Sequence, residues 1–129
     1  MNAFVDTSWL VAIAMGQPGH ERLAAVRDSF ERTFAASLLE AELWSVCRRE
    51  GVAVEPRHTD DIAFVMPARS LLPEIERILE VGYLRGADLW HLACALYLSP
   101  VPDELAFLTL DRRQAEVASM LGFRVATGD

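Results

Sequence analysis

Short apolar runs alternate along this chain with longer stretches whose apolar residues recur at helical spacing, and this alternation constrains the fold more than any single motif. Residues 2–5 form an apolar run that stops at Asp6, and Thr7-Ser8 then open an apolar stretch over 9–15 that ends at Gly16. A strand followed by a helix is expected there. Residues 18–31 place Leu23, Val26 and Phe30 on one helical face, and 33–36 predict a short strand. Ser37-Leu38-Leu39-Glu40 has the form of a capping box, with Glu40 reaching back to the helix start. Leu39, Leu43 and Val46 continue that helix as an apolar stripe until Gly51. A further helix is expected over 57–66 and a short strand over 69–72. Pro73 suits the first position of a helix over 74–81. Residues 86–98 are apolar on nearly every side, the mark of a central buried helix, and Pro100 and Pro102 break it. A buried strand over 105–110, a helix over 112–121 stopped by Gly122, and a last strand over 123–126 complete the pattern. Strands alternating with helices imply a parallel sheet covered on both faces. The expected fold is α/β, a three-layer α/β/α sandwich with a short, mostly parallel sheet.

With 129 residues, the chain reads as a single domain over 1–129. Its 52% hydrophobic and 24% charged content is that of a globular protein rather than a disordered or fibrous one. No apolar run approaches the ~18 residues of a membrane span, and the start lacks the pattern of a signal peptide. A cytoplasmic protein with no membrane partner is therefore expected. Cys47 and Cys94 sit in apolar, helix-like stretches without a CxxC pair and read as buried small hydrophobes. The net charge of −7 counts against a simple electrostatic nucleic-acid binder. All twelve basic residues are arginine, which excludes any mechanism that needs a lysine.

In a parallel sheet, the carboxyl ends of the strands and the helix starts that follow them share one edge, where ligands bind. Four acids map to that edge. Asp6 follows the first strand; Asp111 follows the run over 105–110; Glu42 lies in the second turn of the helix from Ser37; Asp88 lies in the first turn of the apolar helix. Asp6 and Asp111 also read as N-caps, Asp111-Arg112-Arg113-Gln114 having capping-box form, and Asp88 as a complement to a helix dipole. Glu42 is harder to explain locally, because it lies near the apolar stripe with no basic residue three or four positions away to neutralise it. Carboxylates gathered at one edge repel unless neutralised, by protonation or, more commonly, by hard divalent cations with oxygen ligands.

Val5-Asp6-Thr7-Ser8, Ser37-Leu38-Leu39-Glu40-Ala41-Glu42-Leu43, Ala87-Asp88-Leu89-Trp90-His91-Leu92-Ala93 and Leu108-Thr109-Leu110-Asp111-Arg112-Arg113 together resemble the PIN domain, and more narrowly the VapC-type toxins of bacterial toxin–antitoxin pairs. The resemblance covers essentially the whole chain. It implies a PIN-like nuclease domain in which Asp6, Glu42, Asp88 and Asp111 are the acidic quartet, with Thr7 and Thr109 as polar supports. It further implies Mg²⁺ or Mn²⁺ held mainly by Asp6 and Asp88, and a metal-dependent endoribonuclease acting on an RNA substrate. A homodimer inhibited by a VapB-like antitoxin belongs to the same implication. A housekeeping RNA-processing PIN nuclease and a catalytically silent PIN-like interaction module are the alternatives. Phosphotransfer at Asp6 fails for want of a lysine.

His91 shares a helical face with Asp88 and reads either as a contact to phosphate, as an orienter of Asp88, or as a buried structural histidine. His20 and His58 read as surface residues. Arg112 and Arg113 read either as anchors of an RNA backbone or as a solvated first turn. Arg48 and Arg49 read as C-terminal helix charges, and Trp9, Trp44 and Trp90 as core or interface packing.

Overall fold

The computed structural model describes residues 1–128. Five strands pair in parallel: β1 (Asn2–Val5), β2 (Thr33–Ala36), β3 (Ile62–Val65), β4 (Leu105–Leu108) and β5 (Arg124–Ala126), in the order β3-β2-β1-β4-β5. From the central β1 the chain steps outward to β3, then crosses back to the far side of β1 as β4 and ends at β5. The strand order thus reverses between β1 and β4, which opens a crevice at their carboxyl ends.

Six helices are present among the described residues: α1 (Thr7–Ala14), α2 (His20–Asp28), α3 (Leu38–Glu50), α4 (Leu72–Val81), α5 (Gly86–Leu98) and α6 (Arg112–Leu121). Period-two alternation along the strands divides the core between two sets of three. Ala3, Val5, Ala35, Ala106 and Leu108 pack against Trp9, Leu10, Leu23, Leu39, Leu43 and Cys47 of α1–α3. Phe4, Ala36 and Phe107 face α4–α6, where Ile78, Leu92, Leu96 and Val117 cover them. Phe4 and Phe107 lie opposite each other in register and stack with ring centroids 5.8 Å apart. The α/β architecture and the parallel sheet are those expected, as is α5 as a buried central helix. Among the described residues, no helix is long and apolar enough to cross a membrane.

Several local expectations need correction. Residues 57–66 form no helix: a 3-10 turn at Pro56–His58 leads into β3. Ile62, Phe64 and Val65 find a pairing partner in β2, and tertiary pairing outweighs an ambiguous short apolar run. Residues 69–72 form no strand, because Arg69 clamps Glu74 with two hydrogen bonds (2.9 and 2.6 Å) and the Ser70 hydroxyl accepts from Leu72 N, which turns the chain into α4. α2 is shorter than 18–31 and buries Arg27 beside Leu23. The Ser37 box does not form: Ser37 already has helical backbone angles, and its side chain caps nothing. The buried stripe of α3 is Leu39, Leu43 and Cys47, with Val46 only half-buried. His58 is buried rather than exposed, its Nδ1 accepting from Glu55 N (3.1 Å). Trp44 is 57% exposed, whereas Trp9 is fully buried with its indole N–H on the Leu23 carbonyl (3.1 Å). Both cysteines are free and buried, as expected.

Candidate active site

The crevice between β1 and β4 is built from the ends of those strands. Asp6 follows β1 and N-caps α1, accepting from Ser8 N (3.3 Å) and Ser8 Oγ (2.7 Å). Thr109 Oγ1 donates to the same oxygen, Oδ2, at 3.2 Å. All three bonds fall on Oδ2, so Oδ1 has no protein donor among the described residues. Ser8 Oγ also accepts from Leu110 N (3.0 Å), which ties the ends of the two strands together. β4 ends at Leu108, so strand alternation does not set the positions of Thr109 and Asp111. A hydrogen bond does: Asp111 N donates to Thr109 Oγ1 (3.0 Å).

Asp111 N-caps α6 by accepting from Gln114 N (2.9 Å), so half of the expected capping box is present. The other half is absent because Gln114, fully buried, is used elsewhere. Its Oε1 lies 2.9 Å from Thr109 Oγ1 and its Nε2 donates to the Asp88 carbonyl (3.1 Å). Gln114 thereby tethers the first turn of α5 to α6. Sequence reading missed this role, although the box pattern had marked the residue.

Asp88 is half-buried in that first turn of α5. Burial is the main cause that pushes its carboxyl above the ordinary range, and the charges of Asp111 and then Asp6 push it further; Arg85 and His91 act in the opposite direction. None of Asp6, Asp88 and Asp111 forms an ion pair among the described residues. The three carboxylates therefore share an edge without a basic partner in salt-bridge contact.

Glu42 reaches the same edge from α3 and is held differently. Thr7 Oγ1 donates to Glu42 Oε1 (2.7 Å), and His91 Nε2 lies 2.5 Å from that oxygen. The partner that local sequence could not supply comes from a helix 49 residues away. A carboxylate oxygen only accepts, so Nε2 carries the proton. His91 is 1% exposed and orients Glu42 rather than Asp88; its Nδ1 is buried without a hydrogen-bond partner among the described residues. Thr7 is accordingly a support for Glu42, and Thr109 a support for Asp6 and Asp111.

Oxygen donors dominate this edge, which suits a hard divalent cation. No three His, Cys, Asp or Glu side chains among the described residues form a ready-made metal cage. The PIN domain family model matches residues 3–120.

The chain belongs to the PIN domain family. No curated protein and no solved structure gives a significant match. PIN domains are generally nucleases and usually use a divalent metal.

The remaining candidates separate by position. Arg113 lines a cavity with Asp88 and Asp111 and also, together with Arg112, a neighbouring groove with Leu110 and Met120. His20 pairs with Glu21 on α2, and Arg49 with Glu50 at the end of α3. Ser8, Tyr83 and Arg85 also belong to this edge and were not singled out by pattern. Only the fold brings them there.

Proposed function

We propose that this chain is a single-domain, metal-dependent endoribonuclease that hydrolyses RNA phosphodiester bonds as the toxin of a VapBC-like pair. The observation that carries this reading is the group of Asp6, Asp88 and Asp111 at the β1/β4 crevice, with no basic partner in salt-bridge contact and with Asp88 held above its ordinary range by burial and by the other two. Asp6, through the oxygen left free of protein donors, and Asp88 would hold Mg²⁺ or Mn²⁺. Such an ion supplies a lowered pKa for water and neutralises charge developing on the phosphate.

The chain's own residues supply position. Ser8 and Thr109 fix the Asp6 carboxylate so that only one oxygen is free to bind. Gln114 fixes the start of α5, and so the height of Asp88. Asp111 orients the attacking water, and Glu42, held by Thr7 and His91, completes the shell through water. Purified chain, freed of any antitoxin, should cleave total RNA with Mg²⁺ and not with EDTA. Cleavage that survives chelation or Asp6→Ala defeats the mechanism. The toxin assignment predicts a small neighbouring reading frame whose VapB-like product blocks cleavage, and light scattering should give the mass of a homodimer.

A further inference from the structure

A second feature lies beside the acids. Tyr83, Leu84, Arg85, Asp88, Asp111 and Arg113 line a cavity of about 240 Å³. It is small and open, and suits one unit of a longer chain lying across it rather than a separate ligand. Tyr83 is 69% exposed, a large ring left in water on the connection between α4 and α5. Arg85 precedes α5 with extended backbone, its side chain caps nothing, and it forms no ion pair among the described residues.

Arg113 is placed by construction rather than by chance. Its Nε donates to the Tyr83 carbonyl (3.2 Å), and Nη1 lies 3.4 Å from Glu116. Its Nη2 rests where a side chain on residue 82 would intrude: a Cβ there would come within 3.1 Å of Nη2 and 3.0 Å of Val117. Gly82 thus makes room for the guanidinium under the Tyr83 backbone. The result is two arginines and an aromatic face on one side of an acidic site, in a protein of net charge −7.

We propose that this cavity is a nucleotide subsite, in which Arg85 and Arg113 hold the phosphate next to the one being cut and Tyr83 stacks on an unpaired base. The inference rests on the nuclease reading and names its substrate as single-stranded at that position, because a base must leave its helix to stack on a side chain. It also sets two guanidinium groups beside Asp88 and Asp111, one of them, Arg113, shared with Glu116. The Arg85 guanidinium suits phosphate through paired hydrogen bonds, and Arg113, whose Nε and Nη1 are engaged, adds its charge and its Nη2.

The test is fluorescence anisotropy of a short fluorescein-labelled single-stranded RNA, with Ca²⁺ present to neutralise the carboxylates, over a range of KCl. Tyr83→Ala should weaken binding by about tenfold or more, and Tyr83→Trp should restore it. Arg85→Ala and Arg113→Ala should each make the slope of log affinity against log salt shallower by about 0.7. Unchanged thermal melting of the Tyr83 and Arg85 variants would keep these effects apart from folding. Failure of the wild-type chain to bind the RNA, or wild-type affinity and slope in Tyr83→Ala and Arg85→Ala, overturns the proposal. RNA that binds through this subsite yet is never cut in Mg²⁺ would instead defeat the nuclease reading alone.

Discussion

Asp88 shows how a single residue can be set against the stability of its own fold. Its carboxyl lies above the ordinary range because burial and the neighbouring Asp111 and Asp6 all disfavour its charge. A group with a raised folded pKa favours the fold below its usual value and loses that contribution as pH rises through the raised one. At neutral pH without divalent metal, the Asp88 carboxyl therefore costs stability. Asp88→Asn should raise the melting temperature in EDTA at pH 7, the gain should vanish below about pH 3.8, the ordinary value for this side chain, and RNA cleavage should be lost. A lower melting temperature at pH 7 would mean that the carboxylate is satisfied by the protein alone. Residue-level reasoning from sequence had identified Glu42 as the acid without a local explanation. The structure answers with Thr7 and His91, which no spacing along one helix could have revealed.

Among the elements, caps and chemistry overlap, and they can be separated. Asp111 holds the start of α6 through Gln114 N while facing the acidic crevice. Asp111→Ala should cost about 1 kcal/mol in urea unfolding, the usual loss for an N-cap. Asp111→Asn keeps an accepting oxygen and should cost little, yet both should lose cleavage if the negative charge is what matters. Equal activity in Asp111→Asn and wild type would reduce this residue to a cap. The elements themselves were legible where local signals were strong. Helices α5 and α6 begin and end where Gly86, Pro100, Asp111 and Gly122 place them. Legibility failed around Pro56–Val65, where a short apolar run had to choose between helix and strand. The choice was made by β2, whose free edge accepts Ile62–Val65. It failed again at Ser37, where the motif was present but the backbone was already helical.

For the molecule as a whole, the alternation of runs was enough to give the parallel sheet, but not the strand order. That order places Asp6 and Asp111 on either side of a reversal between β1 and β4, and it brings α5 with Asp88 and His91 across the same edge. The fold also carries a pH dependence remote from the site. His58, buried ahead of the edge strand β3, has its pKa lowered chiefly by burial and next by the charge of Arg57. The unfolded chain takes up a proton there that the folded one resists, so stability should fall as pH drops from 6.5, the ordinary histidine value, toward the lowered folded one. His58→Asn, which can still accept from Glu55 N, should flatten that part of the melting-temperature profile, and an unchanged profile would place the dependence elsewhere. At the β1/β4 crevice, the central claim is that the carboxylates act as a trap for a divalent cation. Calorimetric titration of the purified chain with Mn²⁺ tests it most directly. Saturable binding by the wild-type protein, weakened at least tenfold in Asp6→Asn and in Asp88→Asn, is the result expected; no binding, or equal affinity in all three proteins, would contradict it.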